Sequence, residues 1–465
     1  MNTFVGAMDS DAANAVTENG SPAYTSTLNA CVDLFAKIGS KCDDKVLLPL
    51  VEKAFNENEE LATKVVLWGY DIREGAGWRQ NFYTVMSFLE KTNKPLVYRI
   101  IPKIPELGRW DGLLIFTDPD VKLAAFEELR KGLVNPNTRG LAAKWTPRKG
   151  SVANEIRRYL GMSPKAFRKA LVEATDVVET KMCDRQWTSI DYSKVPSVAG
   201  QRYKKAFARH DTEGYLKYIS AVQSGEKKIN TSTLFPHDVI RGKYPNEISA
   251  ADQVSWDNLP EYYDASKNKI LTVIDVSGSM GTIVSGSVSA MDISTALGIY
   301  TAQRNSGPFA NKAITFHDHP SWLTFGPSLK HNLRAVNESC GTSTNLEAVF
   351  DLILKVAKEN NVSQEDMPNT ILIVSDMEFN VPYHIRDLSN HSVMEKKYKN
   401  AGYEKPTVIY WNVVSRTEQF PAINKDKVAL VSGYSPAVLR SVLTNEVITP
   451  EQVMLDTVNK ERYSV

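Results

Sequence analysis

The feature that most constrains this chain is an apolar segment that ends abruptly in oxygen-bearing side chains. Residues 270–274 are apolar apart from one threonine, and they lead into the pattern Asp275-x-Ser277-x-Ser279 with Gly278 in the turn. Buried parallel strands have this composition, and in open α/β sheets the ligand sites lie beyond the carboxyl ends of the strands. One carboxylate and two hydroxyls on a tight turn can direct three oxygens at one point, which suits a hard divalent cation such as Mg²⁺. The pattern therefore predicts a doubly wound sheet with a metal site at this strand end.

Two later segments supply further oxygen ligands. Residues 341–345 carry two threonines at a loop-to-helix junction. Residues 370–375 form a second apolar strand, which ends at Asp376. In this order, the three segments resemble the metal-ion-dependent adhesion site of von Willebrand factor A domains. Thr344 aligns better with the threonine of that family because it leads directly into the next helix, while Thr342 remains open.

The resemblance implies a site in which the serines and the threonine contact the cation directly and one or both aspartates act through water. An open coordination position would take an acidic side chain from a partner or stay hydrated. Two other interpretations remain: Asp275 caps the following helix while the serines satisfy the turn, or the pocket exists without metal. The candidate metal ligands are Asp275, Ser277, Ser279, Thr344 and Asp376.

Length and composition place the chain among globular proteins of two or three domains. It has 465 residues, of which 42% are hydrophobic and 23% charged, and single cores stop growing at about 250–300 residues. Four scattered cysteines without a CxxC pair indicate reduced thiols: Cys31, Cys42, Cys183 and Cys340. Residues 1–19 lack a signal-peptide pattern, and no apolar run approaches the ~20 residues that span a bilayer. We therefore expect a soluble cytoplasmic protein without a membrane partner.

The first half of the chain has helical periodicity, whereas the second half alternates strands and helices. Short helices broken by Gly or Pro predict an α-solenoid of helix pairs over residues 16–257, with a plain multi-helix bundle as the alternative. One of these helices is predicted at residues 203–222, and residues 244–264 are interpreted as a connector. Residues 258–465 then predict a parallel doubly wound, Rossmann-like domain. Its predicted strands begin at Ile270 and recur at residues 313–316, 370–375, 407–411 and 428–431, with helices at 290–301, 347–356 and 436–443.

Six short segments point to a known family. They are Thr17-Glu-Asn-Gly20, Asp71-Ile-Arg-Glu-Gly-Ala-Gly-Trp-Arg79, Leu107-Gly-Arg-Trp-Asp-Gly112, Val195-Pro-Ser-Val-Ala199, Tyr203-Lys-Lys-Ala-Phe207 and Leu234-Phe-Pro-His-Asp238. In this order they resemble the TROVE module of Ro autoantigen-type proteins, and most of all an uncharacterised branch found in phages, bacteria, fungi and plants. The resemblance implies that HEAT-like helices close into a ring whose ends the A domain bridges. It also implies that a basic surface and a central hole bind structured and single-stranded RNA.

Charge along the chain agrees with this implication independently of the resemblance. Residues 139–209 contain sixteen Lys or Arg against six Asp or Glu, a net charge of about +10 in a chain with +1 overall, and aromatic residues are interleaved with them. Cations that displace counterions, beside rings on which bases stack, suit single-stranded RNA. In the alternative interpretation, these segments are solvated helix faces with aromatics in the core. The candidate RNA-binding residues are Arg73, Arg79, Lys144, Arg148, Lys149, Arg157, Arg158, Arg168, Lys169, Lys204 and Lys205.

The predicted function is that of a binding protein, not an enzyme: a scaffold or chaperone-like ribonucleoprotein component for small or misfolded RNA, with a divalent metal in its A domain. No histidine is positioned by motif to activate Ser277 or Ser279, and His317-Asp-His319 is interpreted as a strand end because zinc needs three or four ligands. The alternative is a metal-dependent protein–protein interaction module without RNA, such as a phage particle or assembly component with an acidic partner. If a phage encodes the chain, the expected compartment is the host cytoplasm.

Overall fold

The chain folds into two compact units, which we call the sheet unit and the helical unit. The structure is a computed structural model that describes residues 13–175, 177–231, 233–262, 269–317, 319–339, 341, 343–382, 388–438 and 448–465. Within that part, the sheet unit comprises residues 13–69, 74–78 and 234–463, and the helical unit comprises residues 70–73, 79–233 and 464–465. The sheet unit thus includes residues on the N-terminal side of the predicted boundary at residue 257.

Helices are numbered along the chain. Before residue 79 they are α1 Ala30–Ile38, α2 Asp44–Glu57 and α3 Glu59–Tyr70. Between residues 79 and 233 they are α4 Arg79–Thr92, α5 Lys94–Ile100, α6 Lys103–Leu107, α7 Pro119–Val134, α8 Arg139–Trp145, α9 Ser151–Tyr159, α10 Pro164–Ala174, α11 Val178–Cys183, α12 Ser197–His210 and α13 Thr212–Gln223. After residue 233 they are α14 Pro236–Ile240, α15 Ala250–Asp257, α16 Ala290–Arg304, α17 Leu329–Asn337, α18 Leu346–Glu359, α19 Asn390–Ala401 and α20 Pro450–Val458. None of these helices, within the residues described, combines the length and apolarity needed to cross a bilayer.

A six-stranded mixed sheet forms the centre of the sheet unit. In chain order its strands are β1 Ile270–Asp275, β2 Lys312–Phe316, β3 Trp322–Thr324, β4 Thr370–Ser375, β5 Thr407–Asn412 and β6 Val428–Ser432. Their spatial order is β6-β5-β4-β1-β2-β3, and all neighbours are parallel except β2 and β3. The prediction of a chain that combines helical structure with an α/β sheet is confirmed. The order reverses between β1 and β4, which is the switch point where doubly wound sheets place their ligands.

The antiparallel edge strand β3 corrects the prediction of a wholly parallel sheet. Ala313 of β2 pairs with Leu323 of β3 across a short connection, and the Phe325 N–H donates to the Asn311 carbonyl oxygen (2.9 Å). A strand of three residues is too short to produce a recognisable alternation of apolar and polar positions. The sequence therefore gave no sign of it.

Side-chain alternation along the strands divides the core into two layers. Leu271 and Val273 of β1 pack in one cluster with residues of α18 and α19, whereas Ile274 belongs to a second cluster with residues of α15 and α16. Successive side chains of a strand point to opposite faces, so a strand covered on both faces must be apolar almost throughout. This explains the apolar runs of β1 and β4, and it fixes the ends of both strands between two helical layers.

Helix α1 packs against the edge strand β6 through a close backbone approach. The Gly39 N–H donates to the Ser432 hydroxyl (2.9 Å), which in turn donates to the Phe35 carbonyl oxygen (2.9 Å). A Cβ at position 39 would lie 2.6 Å from the Ser432 carbonyl oxygen, so glycine is needed there. The N-terminal helices are therefore part of the packing of the sheet unit.

Gly39→Ala is expected to destabilise the protein by about 1–3 kcal/mol, because the added methyl group must push α1 away from the β6 backbone. Urea unfolding followed by far-ultraviolet circular dichroism measures this change. Gly326→Ala is the matched control, since a Cβ there meets nothing within 4 Å, and it should change the free energy of unfolding by less than about 0.5 kcal/mol. Equal unfolding midpoints for Gly39→Ala and the wild type would contradict the close approach.

Three segments predicted from the sequence differ from the structure or lie partly outside the described residues. The single helix predicted at residues 203–222 is wrong, because α12 and α13 are separated at Asp211, whose side chain caps α13. The connector predicted at residues 244–264 is also wrong, since it contains α15, which begins with a capping box between Ser249 and Asp252. In both cases a capping side chain marks the start of a helix that apolar periodicity did not reveal. Of the helix predicted at residues 436–443, Pro436–Val438 form a 3₁₀ turn, and the remainder lies outside the described residues.

Candidate functional site

Asp275 ends β1 at the switch point of the sheet and is completely buried, with 0% of its surface exposed. Its Oδ1 accepts the Ser277 N–H (2.9 Å), and its Oδ2 accepts the Ser375 hydroxyl (2.5 Å). The Ser294 hydroxyl of α16 donates to the Asp275 carbonyl oxygen (2.9 Å). The carboxylate is thus held by the turn that follows β1 and by the end of the neighbouring strand β4.

The predicted serines and Asp376 add further oxygens around this carboxylate. The hydroxyl oxygens of Ser277 and Ser279 lie 3.1 Å apart at the 3₁₀ turn after β1. Asp376 follows β4, and its Oδ1 accepts the Glu378 N–H (3.3 Å). Its Oδ2 is buried and has no hydrogen-bond partner within the part of the chain that is described. Such an oxygen has lost its water, and the Arg416 guanidinium at 3.6 Å replaces that water only in part because it forms no hydrogen bond to the oxygen. A bound cation would supply the missing interaction.

The two aspartates destabilise each other's charged forms. Burial raises the pKa of Asp275, and the nearby Asp376 carboxylate raises it further. Burial also raises the pKa of Asp376, although the Ser279 hydroxyl and the Arg416 guanidinium oppose this shift. Because the pKa of each aspartate is raised, the protein alone stabilises the two carboxylates poorly in their charged forms. A divalent cation bound to both would favour the charged forms.

Thr344 lies beside this cluster, on the loop before α18. Its hydroxyl donates to the Glu378 carbonyl oxygen (2.7 Å) and accepts from Asn19 Nδ2 (3.2 Å), and Asn380 Oδ1 lies 3.1 Å away. A hydroxyl has one proton and two lone pairs, so one lone pair remains for a cation. The alternative ligand Thr342 lies outside the described residues.

The donor set fits a hard divalent cation. Two carboxylates and three hydroxyls are oxygen ligands of the kind that Mg²⁺ takes, and Mg²⁺ usually keeps several waters besides. Within the described residues, no group of three or more His, Cys, Asp or Glu side chains could hold a metal ion, and this includes His317 and His319. A metal at the strand ends would therefore depend on the serine and threonine hydroxyls as well as on the aspartates.

Sequence reasoning missed two further charged residues at this site. Glu378 is buried, and it accepts the Glu18 N–H (2.7 Å) and the Thr417 hydroxyl (2.8 Å). Burial raises the pKa of Glu378. Arg416 follows β5 and reaches within 3.6 Å of Asp376 Oδ2. Glu378 could have been found from its place just after a strand end, whereas Arg416 has no local signal and reaches the site because β5 neighbours β4.

Seven of the candidate RNA-binding residues are exposed cations of the helical unit. Lys149, Arg158 and Lys205 are exposed, and no carboxylate of the described residues forms an ion pair with them. Arg148 is also exposed and donates to the Thr175 hydroxyl (3.1 Å). These side chains can be reached by a phosphate group.

Two further candidates are less accessible to a phosphate group because one forms an ion pair and the other is buried. Lys144 pairs with Glu179 (2.9 Å), and the Tyr203 hydroxyl donates to the same carboxylate oxygen (3.2 Å). Lys204 is only 8% exposed, so its ammonium group is poorly placed to contact a phosphate. The remaining candidates are Arg73, Arg168 and Lys169, which are exposed, and Arg79 and Arg157, which are half-buried.

The sheet order and the oxygen cluster define the class of protein: an α/β protein with a candidate divalent-cation site at the switch point, carried on one chain with a basic helical unit. Two family models match the chain. One, described as "Domain of unknown function (DUF2828)", matches residues 17–97 and 133–271. The other, described as "Domain of unknown function (DUF7788)", matches residues 269–464.

A viral relative covers almost the whole chain. "Uncharacterized protein L728" of Acanthamoeba polyphaga mimivirus is 30% identical over an alignment of 504 positions, which covers 94% of this chain and 86% of that protein. The chain belongs to the family of this mimivirus protein. Among solved structures, the crystal structure of the Deinococcus radiodurans RO (RSR) protein is similar at 12% identity with a TM-score of 0.47, over 92% of this chain and 99% of that one.

Proposed function

We propose that this chain is a scaffold protein without turnover of its own, which binds RNA through its helical unit and Mg²⁺ through its sheet unit. In this proposal the sheet unit is a von Willebrand factor A-type domain, and the helical unit is HEAT-like as in Ro-type proteins. One observation carries the metal site: the buried Oδ2 of Asp376, which accepts no hydrogen bond within the described residues, beside the buried carboxylate of Asp275. The aspartates would hold the cation by charge, and the hydroxyls of Ser277, Ser279 and Thr344 would complete the oxygen set. When bound, the cation supplies a coordination position that water or an acidic group can take.

The distribution of charge supports RNA binding by the helical unit. Residues 79–233 contain 28 Lys or Arg and 16 Asp or Glu, a net charge of +12 in a chain with +1 overall. The rest of the chain is therefore net negative, so polyanions are attracted to the helical unit and not to the sheet unit. Trp187 stacks on the exposed His210, with ring centroids 4.4 Å apart and 15° between the planes, and offers an aromatic surface for bases.

Arg148→Glu combined with Lys149→Glu is expected to weaken RNA binding by at least about tenfold, because each change removes a phosphate contact and adds repulsion. Fluorescence anisotropy with a labelled single-stranded RNA and the full-length protein measures the affinity. The matched control is Lys358→Glu combined with Lys399→Glu, two exposed lysines of the sheet unit, which should leave the affinity unchanged. A wild-type site that neutralises about five phosphates should lose roughly 100-fold in affinity between about 50 and 200 mM salt.

Two results would contradict this part of the proposal. A salt response close to zero would show that phosphates contribute little to binding. Equal losses for the two pairs of substitutions would show that the reversed charges act through the protein as a whole and not through the helical unit.

A second candidate function is a metal-dependent protein–protein interaction module. The pairing of Lys144 with Glu179 and the burial of Lys204 favour it, because cations engaged within the unit stabilise the unit and do not contact RNA. The helical unit would then be a scaffold, and an acidic partner would bind at the cation. Wild-type protein that binds Mg²⁺ through Asp275 but binds no RNA would support this second function.

A further inference from the structure

A positively charged side chain, that of Arg416, lies at the candidate metal centre. Arg416 Nη2 donates to the Ser279 carbonyl oxygen (2.7 Å) and to the Thr282 hydroxyl, and it lies 3.6 Å from Asp376 Oδ2. These bonds attach the guanidinium to the turn that carries the predicted serine ligands. The Arg416 side chain is 26% exposed, so solvent screens its charge only in part.

This charge has a direct consequence for the binding of a metal. The guanidinium compensates part of the charge of Asp376 without a hydrogen bond to its Oδ2. A divalent cation that binds the same carboxylate would be repelled by the guanidinium, because like charges interact strongly in a site of low effective dielectric constant. Arg416 therefore competes electrostatically with the cation for Asp376.

The N-terminal turn of the chain is fixed beside this centre. It connects the short antiparallel strands Ala15–Val16 and Pro22–Ala23. The Thr17 hydroxyl donates to the Phe379 carbonyl oxygen (2.7 Å), and Asn19 Nδ2 donates to the Glu378 carbonyl oxygen (2.8 Å). The turn is thereby docked on the loop that follows β4.

Glu18, in this turn, places a negative charge near the Arg416 guanidinium. Its N–H donates to Glu378 Oε2 (2.7 Å), and its own Oε2 lies 4.0 Å from Arg416 Nη1. The Glu18 carboxylate thus lies at ion-pair distance from a guanidinium that is itself 3.6 Å from Asp376 Oδ2. It therefore offsets part of the positive charge of Arg416 and attracts a cation.

We propose that Arg416 lowers the affinity of this centre for a divalent cation and that Glu18 raises it, so that docking of the N-terminal turn and binding of metal favour each other. This inference rests on the proposed metal site. The two residues are affinity-determining and not ligands. Because coupling between two events is reciprocal, a bound metal must also stabilise the docked turn.

Isothermal titration calorimetry of MgCl₂ into the full-length protein tests the inference. Arg416→Gln removes the charge but keeps a hydrogen-bond donor, and it is expected to tighten Mg²⁺ binding about tenfold. Arg416→Lys keeps the charge and should bind within about twofold of the wild type. Glu18→Gln changes a side chain that is 57% exposed and should weaken binding about threefold. Opposite directions at the two positions separate this electrostatic role from misfolding, which would weaken binding in every variant.

The variant Asp275→Ala distinguishes a failure of this inference from a failure of the proposed metal site. If Asp275→Ala binds Mg²⁺ like the wild type, or if no variant binds it, the metal site is wrong and the inference fails with it. If Asp275→Ala abolishes binding while Arg416→Gln binds no more tightly than the wild type, the metal site stands and the role of Arg416 is refuted. Unchanged affinity of Glu18→Gln, or exchange of the Glu18 amide proton that Mg²⁺ does not slow, would refute the role of the turn.

Discussion

Asp275→Ala is expected to weaken Mg²⁺ binding by at least about 100-fold while leaving the RNA affinity within about twofold of the wild type. The carboxylate is completely buried and is held in place by the Ser277 N–H and the Ser375 hydroxyl, so its removal takes a fixed negative charge from the site. A ligand that binds only the folded state stabilises it by about 2.7 kcal/mol at 100 times its Kd. Mg²⁺ should therefore raise the Tm of the wild type but not that of the variant.

Calorimetric titration and thermal unfolding, each with Mg²⁺ or with EDTA, measure the two effects. Asp275→Asn keeps the volume of the side chain and should lose binding as well, which excludes a cavity as the cause. Asp426→Ala changes a carboxylate that is 68% exposed and should behave like the wild type. A Tm of Asp275→Ala that still rises with Mg²⁺ would place the cation elsewhere, and a joint loss of RNA affinity would show that the two sites depend on each other.

A fragment of residues 258–465, the second domain predicted from the sequence, is expected not to fold on its own. Tyr24 and Ala36 belong to one apolar layer of the sheet, and Val239, Ile240 and Trp256 belong to the other. Each large buried side chain contributes about 1.5–3 kcal/mol, and a domain has only about 5–15 kcal/mol of net stability. Loss of both contributions should leave the sheet without a cooperative unfolding transition.

A second fragment is the control for this prediction. Residues 13–78 joined to residues 234–465 by a short Gly/Ser linker should fold, because Trp78 and His237 both contact the ring of Tyr434, at 5.3 and 5.8 Å between ring centroids. Thermal unfolding followed by circular dichroism compares the two fragments. Cooperative unfolding of residues 258–465 at the temperature of the full chain would refute the prediction.

Local patterns in the sequence were sufficient to predict the strands β1 and β4 and the oxygen residues that follow them. Both strands are buried over their full length and are therefore apolar at most positions before the polar residues at their ends. The contribution of α1 to the same core could not be predicted, because the chain makes this contact over nearly 400 residues, through Gly39 and Ser432. Arg416 was missed for the same reason: its position depends on the order of strands in the sheet and not on its neighbours in the chain.

Charge counts predicted which segment is basic but not which of its cations are accessible. Lys204 and Lys205 are adjacent in the sequence, yet the first is buried and the second exposed, because successive residues of a helix point about 100° apart. The pairing of Lys144 with Glu179 likewise depends on how separate helices pack. Such distinctions need the positions of side chains in three dimensions.

The docking of the N-terminal turn also determines the order of events during synthesis. The Thr17 hydroxyl bonds to the Phe379 carbonyl oxygen, 362 residues later in the chain. At the usual rate of about 5–20 residues per second, a ribosome needs roughly 20–70 s to make the intervening segment. During that time α1 cannot make its contact with Ser432 of β6. Newly made chains should become resistant to protease at their N-terminus only after β4 and β6 have left the ribosome.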